Sequence, residues 1–272
     1  YNVGLRCFTR DGKQIALYTT RNSSLSNDII LSIVERKGQI WLGTDGGGIN
    51  ILNPETHQFS SLKHFPGKDN SSLPNNSIIC LYNDQNNNIW IGSIYSGLIS
   101  VREVYMQAYT DALPNNKQGL SDNIVLSLCQ QESGHIWVGT NGGGVNCFNS
   151  LAGEFTHYPS TSGDKVASIC GFASGKLLLS IFAQGIFIFD PVTGNKQPFT
   201  IIDKEVNERL CLHGNTVNVY RNTPNTILLL GNHVYCYHLK EKQFSIVSEE
   251  KGINIIEGSL KAIAVSYTHL RA

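Results

Sequence analysis

Three consecutive glycines follow an aspartate in the stretch IWLGTDGGGIN, residues 40–50. Glycine-rich loops can cradle a phosphate because their backbone N–H groups approach it closely. A phosphate-binding loop, however, needs GxxxxGK followed by Ser or Thr and a helix, and a dinucleotide-binding loop needs GxGxxG between a strand and a helix. This stretch has no lysine, and strand-like residues flank it on both sides. The pattern recurs in register as TNGGG at Thr140–Gly144, which predicts a structural turn whose glycines adopt positive φ.

The other residues with chemical potential do not form known catalytic or metal-binding patterns. The seven cysteines include no CxxC pair, the eight histidines show no HExxH spacing, and no GxSxG motif occurs. The run DQNNNI at Asp84–Ile89 departs from a calcium loop because Ile89 stands where a glycine is required. No pair of acidic residues stands out for glycoside hydrolysis. We therefore predict no catalytic residue, no metal site and no cofactor.

Charge and hydropathy exclude two classes of partner for this chain. Lys plus Arg and Asp plus Glu balance at 21 each in 272 residues, so nothing favours nucleic acid or an anionic membrane surface. No apolar run approaches the roughly 18 residues of a membrane helix. We expect no contact with nucleic acid or membrane in this part of the protein. The 26 glycines and a charged fraction of only 15% favour a sheet-rich, turn-rich fold.

An internal repeat defines the elements that position these residues. Three segments align closely around Trp41, Trp90 and Trp137, and two weaker copies place Leu178 and Leu228 at the tryptophan position. Each copy predicts four short strands, which in the first copy are Ile29–Val34, Ile40–Thr44, Ile49–Asn53 and a strand beginning near Phe59. The apolar first strand is expected to be buried on both sides. Four strands in every 40 to 50 residues, roughly, predict an all-β fold, a β-propeller of four-stranded antiparallel blades.

The repeat also assigns roles to tryptophans and cysteines. The tryptophans are expected to pack between neighbouring blades. Cysteines occupy the third-strand position that isoleucine holds in other copies, which predicts small buried apolar residues rather than disulfides. These cysteines are Cys7, Cys147 and Cys236.

The predicted domain is a propeller fragment over residues 1–265. Half a blade is expected at 1–20, because VGLRCF at Val3–Phe8 matches a third strand. Five full blades, numbered 1 to 5 below, are expected at 21–66, 67–114, 115–160, 161–205 and 206–250. The first strand of a further blade is expected at 251–265, and 266–272 is expected to be a non-native tail. We expect the complete ring to have seven blades.

The repeated NDIILSIVERKGQIWLGTDGGGINIL resembles the two-component regulator propeller repeat, which forms the periplasmic sensor region of hybrid two-component histidine kinases. The resemblance implies that this chain is a periplasmic part of a sensor anchored in the inner membrane. It further implies that the chain binds an oligosaccharide and relays the signal to a histidine kinase outside these residues, in a full-length sensor that is a homodimer. No enzymatic activity is expected of the chain itself.

A ligand site is predicted on one edge of the blades. The turn between second and third strands shares this edge with the segment that enters each first strand, and such loops commonly carry binding residues. Amides, carboxylates and an aromatic ring there could hydrogen-bond to and stack on sugars, although each could instead only stabilise a turn. The predicted ligand-binding residues are Asn27, Asp28, Asp45, Asn76, Tyr95, Asn123 and Asn141.

Two other functions remain open from the sequence. The stretches DQNNNIW and ESGHIW partly resemble the Asp-box turn of propeller glycoside hydrolases and sialidases, but the arginines share no blade register that would bring them together. A non-catalytic scaffold propeller that binds other proteins is the second alternative.

Overall fold

The computed structural model describes residues 3–9, 12–65, 72–102, 105–111, 119–131, 134–199, 218–230 and 234–246. The chain divides into two compact units. The first contains the described residues up to 111 together with 123–125, and the second contains 119–122 and the described residues from 126 onward. The predicted strand at 251–265 and the predicted tail at 266–272 lie outside the described residues.

The first unit contains the half-blade and blades 1 and 2. The half-blade consists of β1 (Leu5–Phe8) and β2 (Gln14–Tyr18). Blade 1 consists of β3 (Ile30–Arg36), β4 (Gln39–Thr44), β5 (Ile49–Asn53) and β6 (Gln58–Leu62). Blade 2 consists of β7 (Ile78–Asn83), β8 (Ile89–Ser93), β9 (Leu98–Arg102) and β10 (Tyr105–Tyr109).

The second unit contains blades 3 to 5, apart from Val125 at the start of β11. Blade 3 consists of β11 (Val125–Gln130), β12 (Ile136–Thr140), β13 (Val145–Asn149) and β14 (Glu154–His157). Blade 4 consists of β15 (Val166–Gly171), β16 (Leu177–Ile181), β17 (Gly185–Asp190) and β18 (Asn195–Pro198). Blade 5 consists of β19 (Asn218–Thr223), β20 (Thr226–Leu230), β21 (Val234–His238) and β22 (Gln243–Ile246). Two single-turn 3₁₀ segments, Pro159–Thr161 and Ala173–Gly175, lie between strands.

Each full blade is a four-stranded antiparallel sheet in which strands adjacent in sequence are hydrogen-bonded neighbours. This up-and-down order needs only hairpin turns, which the short glycine-, asparagine- and proline-containing connections provide. The described residues contain no helix long and apolar enough to cross a membrane. The prediction of an all-β fold built from propeller blades is confirmed.

The tryptophan position lies on the buried second strand of each blade. Trp41, Trp90 and Trp137 are almost fully buried, and Leu178 and Leu228 occupy the same position in blades 4 and 5. Trp137 packs on Phe189 of the following blade with ring centroids 6.2 Å apart, in an edge-to-face arrangement that aromatic pairs favour. Trp41 belongs to an apolar cluster with second-blade residues such as Leu81 and Ile91. The predicted packing of these residues between blades is confirmed for Trp41 and Trp137.

The third-strand position that pairs with the tryptophan position holds cysteine in some blades and isoleucine in another. Cys147 pairs with Trp137 and Cys236 with Leu228, as Ile51 pairs with Trp41. The six described cysteines are free thiols. Burial raises the pKa of Cys80 and Cys129 to about 12 and that of Cys147 to about 11. These thiols therefore stay protonated at neutral pH and act as small apolar residues.

The first strand of blade 1 is less buried than predicted. Its residues from Ile30 to Arg36 are each only partly buried, whereas β8 and β12, both second strands, are buried throughout. Its position at the edge of the sheet does not account for this difference, because β11 and β15 are also edge strands and are mostly buried. The expectation that this strand is buried on both sides is wrong.

Candidate functional site

The turns between second and third strands form one edge of the blades, here called the turn edge. It comprises residues 45–47 and 94–96 in the first unit, and 141–143 and 182–184 in the second. The residue before each of the first three turns closes it. The N–H and side-chain hydroxyl of Thr44 both donate to the carbonyl of Gly48, and Ser93 and Thr140 bind Gly97 and Gly144 in the same way. The same pair of hydrogen bonds therefore closes the turn in each of these three blades.

The middle glycine of the GGG turns is required by close packing. A Cβ on Gly47 would lie 2.5 Å from Ser26 Oγ, and one on Gly143 would lie 2.2 Å from Ser121 Oγ. In blade 1, Ser26 Oγ donates to the Gly47 carbonyl and accepts from Asn50 Nδ2. Blade 3 repeats this network with Ser121, Gly143 and Asn146. The glycines are turn and packing residues, which confirms their predicted structural role.

Three of the predicted site residues, Asp28, Asn76 and Asn123, form a repeated clamp on the blade that precedes them. Each side-chain oxygen accepts the backbone N–H of a residue just beyond the preceding fourth strand. These bonds join Thr20 N to Asp28 Oδ1 (2.6 Å), His64 N to Asn76 Oδ1 (2.7 Å) and Asp111 N to Asn123 Oδ1 (2.6 Å). The backbone carbonyls of the same three residues accept from Gly4, Gly48 and Gly97. Each clamp thus bonds the segment that enters a first strand to the preceding blade, through its side chain and its backbone, and all the residues bonded in this way lie in the first unit.

Asn27 is also engaged within the fold. Its Nδ2 donates to the carbonyl of Asp45 at 2.6 Å, and its Oδ1 accepts from Ile29 N at 2.7 Å. The structure therefore brings Asn27 and Asp45 together. It leaves fewer side-chain hydrogen-bonding positions for a ligand at Asn27 than at Asp45.

Asp45 and Tyr95 present side chains to solvent on adjacent turns of the first unit. Asp45 is exposed, and Ser77 Oγ, which follows the second clamp residue, donates to Asp45 Oδ1 at 3.3 Å. The carbonyl of Ser77 accepts from the N–H of Ile94, the residue before Tyr95, so the turn that carries Tyr95 borders Ser77. In register, Ile94 corresponds to Asp45, so Tyr95 corresponds to Gly46. Asp45, Ser77 and Tyr95 form the candidate site of the first unit, and sequence reasoning missed Ser77.

Tyr95 adopts a conformation that is costly for its residue type. Its φ is +65°, in the left-handed region that Gly46 and Gly142 occupy at the same turn position. Its side chain is 73% exposed, so no burial of the ring offsets this cost. Ala183 has a φ of +60° at the same position of blade 4, so the turn itself sets this conformation, and the exposed ring is what distinguishes Tyr95.

Asn141 lies in the second unit, beside two residues that the sequence analysis did not select. Asn141 forms an isolated antiparallel bridge with Lys165, and Phe182 N donates to the Lys165 carbonyl at 2.9 Å. Phe182 corresponds in register to Asp45 and Asn141 and is 47% exposed. Alignment of blade 4 on the turn residues, rather than on the tryptophan position alone, would have selected it.

The opposite ends of the blades use their polar residues for turns. Asp84, which is buried, accepts from the backbone N–H groups of Asn86 and Asn88 and from Trp90 Nε1. Gln131 accepts from Trp137 Nε1 in the same way. The oxygens of Asp84 are thus already bonded, as expected for a structural turn. Among the described residues, no group of three His, Cys, Asp or Glu side chains could hold a metal ion.

Two stretches of the chain, residues 72–95 and 119–142, match the family model of the two-component regulator propeller. Each stretch runs from the segment that enters a first strand to the turn edge, in the blades of Trp90 and Trp137. These two stretches are two-component regulator propeller repeats. The copy around Trp41 lies outside the two matched stretches, although its strands and turn have the same arrangement. No curated protein matches the chain.

Solved structures share the fold of these regulator propeller repeats. The extracellular domain of a protein described as a hybrid two-component system from B. thetaiotaomicron has a TM-score of 0.65 at 20% identity, over 81% of this chain and 30% of that one. A second such domain from B. thetaiotaomicron has a TM-score of 0.63 at 17% identity, over 84% of this chain and 29% of that one. Virginiamycin B lyase from Staphylococcus aureus has a TM-score of 0.61 at 12% identity, over 90% of this chain and 77% of that one.

These similarities show a shared fold and no shared function, because proteins with the same fold and such low sequence identity can have unrelated functions. The chain spans less than a third of each of the two B. thetaiotaomicron domains. A ligand and a signalling role must therefore be argued from the residues of the candidate site.

Proposed function

We propose that this chain is a periplasmic, ligand-sensing propeller region of a two-component sensor, and that it binds an oligosaccharide at the turn edge. The regulator propeller repeats support the sensing role, and the extracellular location of the two similar domains from B. thetaiotaomicron supports the location. The relay to a histidine kinase, and a homodimeric full-length sensor, are part of the same proposal. Both depend on residues outside this chain.

The observation that carries the proposal is the exposed ring of Tyr95 at the turn edge. A tyrosine offers an apolar face for a sugar ring and a hydroxyl for hydrogen bonding. The Asp45 carboxylate and Ser77 hydroxyl on the adjacent turn add the polar groups that orient such a ligand. Rigid blades hold these turns in place, which limits the entropy lost on binding.

A non-catalytic role fits the groups at this edge better than hydrolysis does. The polar residues of the Asp-box-like turn are at the other end of the blade and are bonded to backbone and indole N–H groups. Asp45 is the carboxylate of the first-unit site, whereas glycoside hydrolysis ordinarily uses two. The lyase with a similar fold supports enzymatic activity only at the level of the fold.

The variant Tyr95→Gly tests the ligand role. Glycine is the residue that blades 1 and 3 carry at this position, so we expect the free energy of unfolding to stay unchanged or to rise by about 0.5–1 kcal/mol. Glycan affinity should fall at least about tenfold, because the ring is lost. Calorimetry against a panel of neutral plant and host glycan fragments measures affinity, and thermal melting measures stability.

Gly46→Ala is the matched control, because it changes the corresponding position of blade 1, where a Cβ meets nothing within 4 Å. It should lower stability slightly and leave affinity unchanged. Product analysis is run on the same samples. Release of saccharide would overturn the non-enzymatic role, and no binding to any glycan would favour the protein-binding scaffold.

A further inference from the structure

Among its described residues, 161–199, blade 4 contains three lysines and two acids. The lysines are Lys165, Lys176 and Lys196, and the acids are Asp164 and Asp190. Lys176 pairs with Asp190, and Lys196 pairs with the buried Asp164. In the part of the chain that the structure describes, Lys165 has no ion pair. Its exposed ammonium is thus an uncompensated positive charge at the turn edge of the second unit.

The backbone places an aromatic ring and an amide beside this charge. Lys165 Nζ lies 5.9 Å from the centroid of the Phe182 ring, and the Phe182 N–H is bonded to the Lys165 carbonyl. On the other side, the backbone of Lys165 bridges to Asn141. Two neighbouring blades therefore hold an amide, a cation and a half-exposed ring together. We call these three residues, Asn141, Lys165 and Phe182, the cationic patch.

We propose that the cationic patch binds the carboxylate-bearing sugar of an acidic glycan, a uronic acid. A uronic acid combines an apolar ring face, hydroxyl groups and a carboxylate. The Phe182 ring offers a surface for the apolar ring face, and the Asn141 amide can hydrogen-bond to the hydroxyl groups. The Lys165 ammonium offers a positive charge for the carboxylate. A cation at an exposed site gains little from a phenylalanine ring alone, so Lys165 stays available to an anion.

The same turn-edge register in the first unit has the opposite charge. The residues that correspond there to Asn141, Lys165 and Phe182 of the second unit are, in the same order, Asp45, Ser77 and Ile94. The preference for an acidic sugar is therefore expected of the second unit only. The first unit shows that the same positions also accept residues that carry no positive charge. The carboxylate of Asp122 also borders this edge, 3.8 Å from the position that a Cβ on Gly142 would take. This inference rests on the proposed glycan-binding function and adds the class of sugar.

The test compares acidic glycans with their neutral esters. Trimers of galacturonic, glucuronic and mannuronic acid are titrated by calorimetry into the protein, each beside its methyl ester, which removes the charge and keeps the sugar. We expect one acidic trimer to bind at least about tenfold more tightly than its ester, with an affinity that falls as salt rises from about 0.05 to 0.5 M. The variant Lys165→Gln should bring the acid to the affinity of the ester, and Lys165→Arg should retain most of the binding.

Lys176→Gln is the matched control, because it removes the same charge from the same blade at an exposed ion pair. It should leave acid binding unchanged, and thermal melting confirms that each variant is folded. Equal affinity for acid and ester, no binding of any acidic trimer, or equal effects of Lys165→Gln and Lys176→Gln would overturn the inference. Binding of neutral glycans would leave the proposed function standing in each of these cases. Binding only of peptides with a free carboxyl terminus would overturn both.

Discussion

At the scale of single residues, one recurring side chain has three different polar environments. The indole N–H of Trp90 donates to a buried carboxylate, and that of Trp137 donates to a neutral amide. Trp41 Nε1 is buried and has no acceptor among the residues that the structure describes. Arg36 lies over its ring at 5.4 Å, where blades 2 and 3 have Asp84 and Gln131. The hairpin of blade 1 is one residue shorter, since Val34 pairs with Trp41 and Tyr82 with Trp90. Blades with similar sequences therefore differ in how much their tryptophan hydrogen bond contributes to the free energy of unfolding.

The tryptophans provide a test of this difference. Trp90→Phe should lower the free energy of unfolding by about 1–2 kcal/mol more than Trp41→Phe, because it alone removes a hydrogen bond to a charged acceptor. Urea unfolding measures both values. Trp137→Phe, which loses a bond to a neutral acceptor, should fall between them. Equal losses in all three variants would show that packing alone sets the cost.

At the scale of elements, the segments that enter the first strands of blades 1 to 4 bond to residues of the preceding blade and also border the turn edge. The side chain of Asn76 holds the chain beyond β6, and its carbonyl holds Gly48 of the same preceding blade. Asp28 and Asn123 repeat this arrangement. In the second unit, the carbonyl of Asp164 accepts from Gly142 and Gly144. Polar residues at this position have a structural reason to recur that requires no ligand.

Asn76→Ala separates the structural role from ligand binding. The loss of the acceptor for His64 N should lower the free energy of unfolding by about 1–2 kcal/mol and leave glycan affinity unchanged. Asp45→Ala, an exposed change at the same edge, should alter stability by less than about 0.5 kcal/mol and weaken glycan binding. Melting and calorimetry on the two variants measure both properties. A large loss of affinity in Asn76→Ala at unchanged stability would restore this residue to the binding site.

At the scale of the whole molecule, free thiols are distributed through the buried strands of both units. Burial raises the pKa of Cys80, Cys129 and Cys147, and that of Cys170 is raised well above 9.0 by burial and by Cys129. A raised pKa in the folded state means that the unfolded chain releases these protons first as pH increases. The corresponding stability is complete below pH 9.0 and is lost as pH rises toward the folded-state values.

This linkage predicts a fall in stability in mildly alkaline solution. At pH 10, one unit above the unfolded value of 9.0, each such thiol should lower the free energy of unfolding by about 1.4 kcal/mol relative to pH 8. Urea unfolding at several pH values measures the slope. Cys129→Ala should reduce this slope, whatever its cost at pH 8, because one titrating group is gone. An unchanged slope would mean that Cys129 is not the protected thiol that its burial indicates.

Much of the fold could be predicted from the sequence because the repeat is written in local patterns. Short apolar runs, turn residues and the spacing of Trp41, Trp90 and Trp137 identified the blades, and the recurrence of TDGGG and TNGGG identified the turns as structural. The edge of the blades that carries the candidate site also followed, since turn and strand order determine it.

The tertiary structure decided which side chains on that edge are available. Asp28, Asn76 and Asn123 are polar in the sequence, but they bond to the preceding blade, a contact between segments that no local pattern encodes. Register placed Tyr95 at a glycine position and Lys165 beside Phe182, because hydrogen bonds within each blade align residues that differ in type. The sequence by itself determined the repeating scaffold, whose spacing is local. Only the folded chain determined the polar groups left for a ligand, because that depends on which partners each group has already found.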